Sequence, residues 1–397
     1  MNICKIKEVC QVNPPKKIPL SQDTDISFVP MSAVSTDGKV DLSEVITVEK
    51  VKSLSVFKDG DVIFAKITPC MENGKGAVVS NLKNGYGAGS TEFTVLRPNE
   101  THISEKWLYY YLSQKHFRWT CQQNMTGSAG QKRVPAKYLA ECLIPVPPLE
   151  EQQRIVARIE ELFSELDAAV ATLERTKEQL AVYRQAVLKE AFEGLSNTTN
   201  VVLGDLILEK PRNGYSPKGV EYETPFRNLT LTSTTGGVFK EGYFKYVDLD
   251  IDNKSHLWVK HNDILIQRAN TLEYVGTAVV YPGEDNRYVY PDLMMKCHLK
   301  EGINPYFIVH QLQSYKTRLY YQKNATGTAG SMPKINQKTV MQTPLIITDI
   351  STQVKIVSEI ESRLSVCDKI EETVTTALHE AEAMRQSILK QAFAGEL

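Results

Sequence analysis

A chain of 397 residues is too long for one ordinary core and fits two domains plus extra structure. Its 42% hydrophobic and 23% charged residues are the balance of a soluble protein, and no apolar run approaches the ~18 residues of a membrane span. A formal net charge of −1 gives the chain as a whole no attraction to nucleic acid.

The start, "MNICKIKEVC", carries charges where a signal peptide would need an apolar core. Seven scattered cysteines, odd in number and never spaced C-x-x-C, read as reduced thiols of a cytoplasmic protein, with neither a disulfide frame nor a zinc site. "NPPK" (13 to 16) begins like the N-P-P-aromatic motif of amino-methyltransferases, but Lys16 stands where an aromatic would stack the flipped base. "DVIFAKI", "GAVVSNL" and "STEFTVL" are strands by composition and length. "GYGAG" (85 to 89) has methyltransferase-like glycines, yet a strand pattern follows it instead of a helix. "SEKWLYYYLSQKHFRW" predicts a helix whose aromatic face belongs to the core. No G-x-x-x-x-G-K-[ST] loop occurs, and the seven histidines show no metal-ligand spacing. The chain reads as non-enzymatic by itself, with no catalytic residues and no metal site.

From Leu149 the grammar becomes helical. Ile155, Ile159, Leu162, Leu166, Ala169, Leu173, Thr176, Leu180, Tyr183 and Val187 recur at alternating steps of four and three, a heptad seam. Pro148 precedes the helix and Gly194 ends it. The second half then repeats the first. "DILIQRA" echoes "DVIFAKI", "GTAVVYP" supplies a further strand, and "PYFIVHQLQSYKTRLYYQ" matches the first aromatic helix. A second seam runs through Ile356, Ile360, Cys367, Ile370, Val374, Ala377, Ala381, Met384 and Ile388, with only Arg363 out of character. "YRQAVLKEAFEG" (183 to 194) and "MRQSILKQAFAG" (384 to 395) agree at seven of twelve positions.

A shared register predicts that the two helices pair with each other. About 45 helical residues span roughly 68 Å, whereas an intervening unit near 150 residues is only about 35 to 40 Å across. Parallel pairing would require that unit to bridge the whole helix, so the pairing is antiparallel, with the globular units at opposite ends of a rod. The short "SNTTN" link (196 to 200) then suffices.

Charge resolves along the same lines. Residues 149 to 194 hold 6 Lys/Arg against 10 Asp/Glu, and residues 351 to 397 hold 5 against 8; the remainder carries 35 against 29. Acidic helices and basic globular units are compatible with two nucleic-acid-reading heads on a rod not attracted to phosphate.

The order of parts, the "IPVPPLEEQQRIVARIEELFSELD" entry and the repeated "RQAVLKEAFEG" exit resemble the specificity subunit of type I restriction-modification enzymes, over essentially the whole chain. "DVIFAKITPCMENGKGAVV" is also similar to a stretch in some of that family's recognition domains. The second entry, "ITDISTQVKIV", departs by lacking the prolines and the Glu. The resemblance implies an α+β fold of two strand-rich target recognition domains (1–148 and 196–350), each followed by a spacer helix (149–195 and 351–397). It implies that each domain reads one half of an asymmetric bipartite duplex DNA target while the helices set the spacer. It further implies two methyltransferase (modification) subunits as partners, restriction subunits in the larger assembly, and S-adenosylmethionine, ATP and magnesium on those partners. Around Glu160, Glu161, Arg184 and Lys189, helix positions are expected to lie away from the seam and to dock the modification subunits.

Within the domains, the basic loop Gln131-Lys132-Arg133 and its counterpart Lys334 and Lys338 are suited to phosphate. Asn73 and Lys75 in "MENGKG", and Arg268 with Asn270 in "IQRAN", follow matching strands and are suitable major-groove readers. Lys66, at the end of "DVIFAK", and Lys323, before "NATGTAG", complete the candidate DNA-binding set. The competing function is a coiled-coil adaptor whose two heads bind proteins.

Overall fold

The computed structural model describes residues 2–128, 130–327 and 332–397. The chain divides into two compact units, Met1–Leu173 with Thr375–Leu397, and Glu174–Val374.

In the first unit, β1 (Cys10–Val12), β2 (Val62–Ala65), β3 (Gly76–Val78) and β4 (Phe93–Pro98) form an antiparallel sheet in the order β1-β4-β2-β3. All four residues of β2 are buried, because the sheet is covered on both faces. Its period-two alternation sends Val62 and Phe64 into one core and Ile63 and Ala65 into another. The first core receives α1 (Glu105–Leu112) and α2 (Lys115–Gln123). The other is closed by residues around a second four-stranded sheet that includes Asp25–Val29 and Tyr86–Gly89. A two-stranded ribbon pairs Asn2–Lys5 with Leu143–Val146. Ile155, Val156 and Ile159 of the first long helix (Leu149–Phe192) enter the helix-side core, as do Ile388, Leu389 and Ala392 of the second (Ile350–Ala394).

The second unit repeats the plan. β5 (Arg212–Asn213), β6 (Ile264–Gln267), β7 (Ala278–Val280) and β8 (Met294–Cys297) pair in the order β5-β8-β6-β7. Ile264 and Ile266 face one core, shared with α3 (Pro305–Gln313), and Leu265 faces the other. The tail of the "SNTTN" link is itself structured, since Thr199–Val202 forms a ribbon with Pro344–Ile347.

Each aromatic segment expected as one helix is two. α1 breaks from α2 at Ser113–Gln114, and α3 breaks from α4 (Tyr315–Asn324) at Ser314. The long helices supply the reason. Gln386 accepts from the Lys115 N–H at 2.8 Å, and the Gln185 amide donates to the Gln313 carbonyl at 3.3 Å, so each break is met by a side chain from a helix exit. The helix entries do the converse. Fully buried Gln152 accepts from Ser104 N–H and donates to the carbonyls of His102 and Pro147, and Gln353 likewise accepts from Asn304 N–H and donates to Thr348. The second entry, without prolines, is capped by Asp349, which accepts from Thr352 N–H at 3.0 Å. Hydrogen bonds from Ser351 and Thr352 hold its carboxyl well below the usual carboxylate range.

The long helices pair antiparallel within each unit. In the first, Arg154 donates to the Leu397 carbonyl, while Arg385 pairs with Asp167 and lies 4.4 Å over the Phe163 ring. In the second, Arg184 pairs with Asp368 and Glu371 at 2.6 and 2.9 Å, and Arg363 with Glu190 at 2.9 Å. Ile155, Ile159, Leu180, Val187, Ile356, Ile360, Cys367, Val374, Ala381 and Ile388 are buried, whereas Ala169, Tyr183, Ile370 and Met384 are exposed. Two helices alone offer too narrow a contact to bury every heptad position, and charges flanking it complete the pairing. Arg363 is then in place, stacked over Tyr183 as well as paired with Glu190. Arg184, expected to lie away from the seam, points across it, and so does its counterpart Arg385.

One difference between the repeats has a measurable effect. Tyr110 packs edge-on against Phe163 at 5.7 Å, but its counterpart is His310, 8% exposed, whose two ring nitrogens make no hydrogen bond among the described residues. Arg184, Arg318, Glu361 and Asp368 line the same cleft without pairing with it. Burial pulls His310 from 6.5 down to about 4. The unfolded chain therefore binds a proton that the folded one refuses, and stability present above pH 6.5 is lost as pH falls towards 4. The loss expected is on the order of 3 kcal/mol. Denaturation midpoints across that range should drop for the native chain and much less for His310→Tyr; equal slopes would contradict the assignment.

Candidate nucleic-acid interface

β1 and β2 both run antiparallel to β4, so their C-terminal ends leave the sheet on one side. Lys66 emerges there. Its N–H donates to the Glu92 carbonyl at 2.9 Å and its carbonyl accepts from Val134 at 2.8 Å, while Thr68 N–H donates to the Lys132 carbonyl at 3.0 Å. The basic loop is thus laid along the chain leaving β2, with Arg133 bridged to both Ile67 and Thr126. Lys66, Gln131, Lys132 and Arg133, 67 positions apart at the extremes, share one patch.

They are not equivalent within it. Glu92 receives the Arg133 guanidinium at 2.8 and 2.9 Å, a pairing that holds its carboxyl below the usual range. Arg133 is therefore a clamp on the loop, whereas Gln131 and Lys132 are exposed. The turn from β2 to β3 holds Asn73, exposed, and Lys75, whose ammonium donates to the Met31 carbonyl at 2.9 Å. Gly74 between them is in the left-handed region (φ 83°), and a Cβ there would lie 2.2 Å from the Arg118 guanidinium. Asn73 is thus the freer of the two polar groups in that turn.

The second unit builds the same place from different residues. Arg268 leaves β6, donates its N–H to the Leu293 carbonyl at 2.8 Å and accepts from Ile335 at 2.9 Å. Lys334 bridges to Ala269 and Thr326, as Arg133 does to Ile67 and Thr126. Arg268, Asn270 and Lys334 are brought together, but Asn270 is already committed: its amide donates to Gln267 at 2.6 Å and its oxygen accepts from Thr271 N–H at 2.7 Å. Lys334 is exposed where Arg133 was clamped. Lys323 lies in the last turn of α4, Lys338 sits on the short helix Gln337–Met341, and both are exposed. Of the repeated small-residue loops, Ala129 and Thr328–Gly330 lie outside the described residues.

Comparison with known proteins places this arrangement. Residues 1–179 match the family described as type I restriction modification DNA specificity domain. Over 97% of this chain and 82% of the relative, identity is 26% to the EcoEI specificity subunit of Escherichia coli. To the EcoAI specificity subunit of Escherichia coli it is 42% over 167 residues, 41% of this chain and 28% of that one. A chain in a solved structure on complex assembly and conformational transition of the type I R-M system has the same fold, with a TM-score of 0.77, 20% identity and coverage of 100% of this chain and 98% of that one. Residues 1–179 thus match the type I DNA specificity domain, and the chain over nearly its whole length is similar to type I specificity subunits.

The residue that sequence reasoning missed in this patch is Glu92. It lies 41 positions from Arg133, and its signal is only a lone acidic residue at the start of a strand. Buried Asp61 and Asp263 were likewise invisible. Asp61 takes Arg97 at 2.7 Å; Asp263 takes His298 at 2.8 Å and Lys296 at 3.4 Å. These pairs consume cations that charge counting alone would assign to DNA.

Proposed function

We propose that this chain is the DNA-reading subunit of a type I restriction-modification complex, with residues 1–148 and 196–350 each reading one half of an asymmetric bipartite duplex target and the paired helices setting the spacer. The observation that carries this reading is the repeated sheet end. Cations without an ion-pair partner among the described residues, Lys66 and Lys132 in one unit and Arg268 and Lys334 in the other, occupy matching places on unlike surroundings. A shared frame suits contacts to phosphate, and the unlike side chains around it suit two different half-sites. Methyl transfer and cleavage then belong to two modification subunits and to restriction subunits, which would carry S-adenosylmethionine, ATP and magnesium.

The test is an exchange. Replacing residues 1–148 with the first unit of another specificity subunit should change one half of the methylated sequence, read by methylome sequencing, and leave the other half as it was. Methylation unaltered by the exchange would favour an adaptor with protein-binding heads.

A further inference from the structure

We propose that the segments leaving the first strand of each central sheet, Asn13–Lys17 and Asn213–Lys218, are phosphate-contacting arms of the DNA interface, with Lys16, Lys17 and Lys218 as their cations. This rests on the DNA-reading function above and adds a part of the surface that neither half of the repeat announces.

Position comes first. β1 and β2 run in the same direction on either side of β4, with Val12 opposite Leu96 and Ala65 opposite Phe93, so both chains head out towards the same side of the sheet. β5 and β6 do the same in the second unit. There the proximity is direct: the Ser216 hydroxyl donates to the Asp292 carboxylate at 2.5 Å, and the Arg268 guanidinium reaches the Asp292 carbonyl at 3.4 Å.

Both segments are tied down. Asn13 adopts a left-handed conformation (φ 51°), donates its N–H to the Val95 carbonyl at 2.7 Å and accepts from Val95 N–H at 3.1 Å through its side chain. Pro14 and Pro15 then stiffen the backbone by fixing φ. In the second unit, Tyr215 N–H donates to the Tyr290 carbonyl at 2.9 Å, and a Cβ at Gly214 would lie 2.0 Å from that oxygen, so only glycine permits the approach. Each anchored segment ends in proline and lysine, "PPKK" and "SPK".

The lysines are exposed, and none has an ion-pair partner among the described residues. Arg97, Lys296 and Arg133, by contrast, are neutralised by carboxylates. Cations held on a stiffened backbone beside a basic patch, recurring where the two units otherwise differ, fit the one feature common to every duplex, its phosphates. The N-P-P-K run is then a rigid mount for lysine and has no need of the aromatic that base flipping would demand.

The experiment uses the full chain and two duplexes, one carrying its methylated sequence and one lacking it, with affinity measured between about 50 and 200 mM salt. The variant Lys16→Ala/Lys17→Ala/Lys218→Ala should weaken binding to both duplexes by a similar factor. It should also flatten the slope of log affinity against log salt by roughly two to three, at about 0.9 per phosphate contact. The corresponding triple Lys→Arg variant should keep the native slope. An unchanged slope in the alanine variant, or a loss confined to the methylated sequence, overturns the proposal while leaving DNA reading intact. A native chain with no salt-sensitive duplex binding would instead overturn the DNA-reading function, and the arms with it.

Discussion

Ile159→Asp and Ile360→Asp should each cost about 4 to 5 kcal/mol and open one unit while sparing the other. The two isoleucines are repeat counterparts, both wholly buried, one in the helix-side core of each unit. Around Ile159 stand Ile155 and Ile388, and around Ile360 stand Val187 and Ile356, so a carboxylate at either place finds no donor to replace water. Leu173→Asp, in the same heptad but only half-buried, should cost far less. Hydrogen exchange read segment by segment would check this. Ile159→Asp should remove protection from residues 2–173 and 375–397, and Ile360→Asp from 174–374. Equal damage from Leu173→Asp, or loss of both units together, would show that the seam is not built as described.

Lengthening the helices should alter the target without altering what is read. Four residues inserted after Leu173 and four after Val374 add about 6 Å and roughly one turn to each helix, equivalent to about two base pairs at 3.4 Å each. The heptad contacts are nearly conserved by a whole turn, and the entry glutamines and exit arginines remain in their own units. Methylome sequencing should find the same two half-sites with a spacer longer by about two. Half-sites that change with the insertion would end the division between reading and spacing.

The repeat made the architecture legible. A seven-in-twelve identity between helix exits, and β2 echoed by β6, place the same element twice, and apolar runs such as Val62–Ala65 declare strands buried on both faces. Periodicity placed Ile155, Ile159, Ile356 and Ile360 on a helix seam, and all four are buried, within the cores of the globular units. It failed at Tyr183 and Met384, because a heptad records a tendency to face a partner and not how wide that partner is. Arg184 was misplaced for a related reason: an arginine beside a seam can reach across it, and its acceptor Asp368 lies 184 positions away. At the candidate interface the sequence supplied Lys66, Lys132, Arg268 and Lys334 as separate guesses. What it could not supply was the strand direction that unites them, or the carboxylates that withdraw Arg133 and Lys296 from service.

The first unit takes part of its core from Thr375–Leu397. Trp107, fully buried, packs against Phe393 at 4.5 Å, and Leu389 and Ala392 sit in the same cluster. On the ribosome, therefore, the order of completion is the reverse of the order of units along the chain. Residues 174–374 form a continuous stretch and can close on themselves as they emerge. The domain begun first stays open, with Trp107 waiting on residues translated after the whole second unit. A message cut short before codon 375 would yield an intact second unit and an unfinished first one, so a finished first unit certifies that translation has passed Phe393.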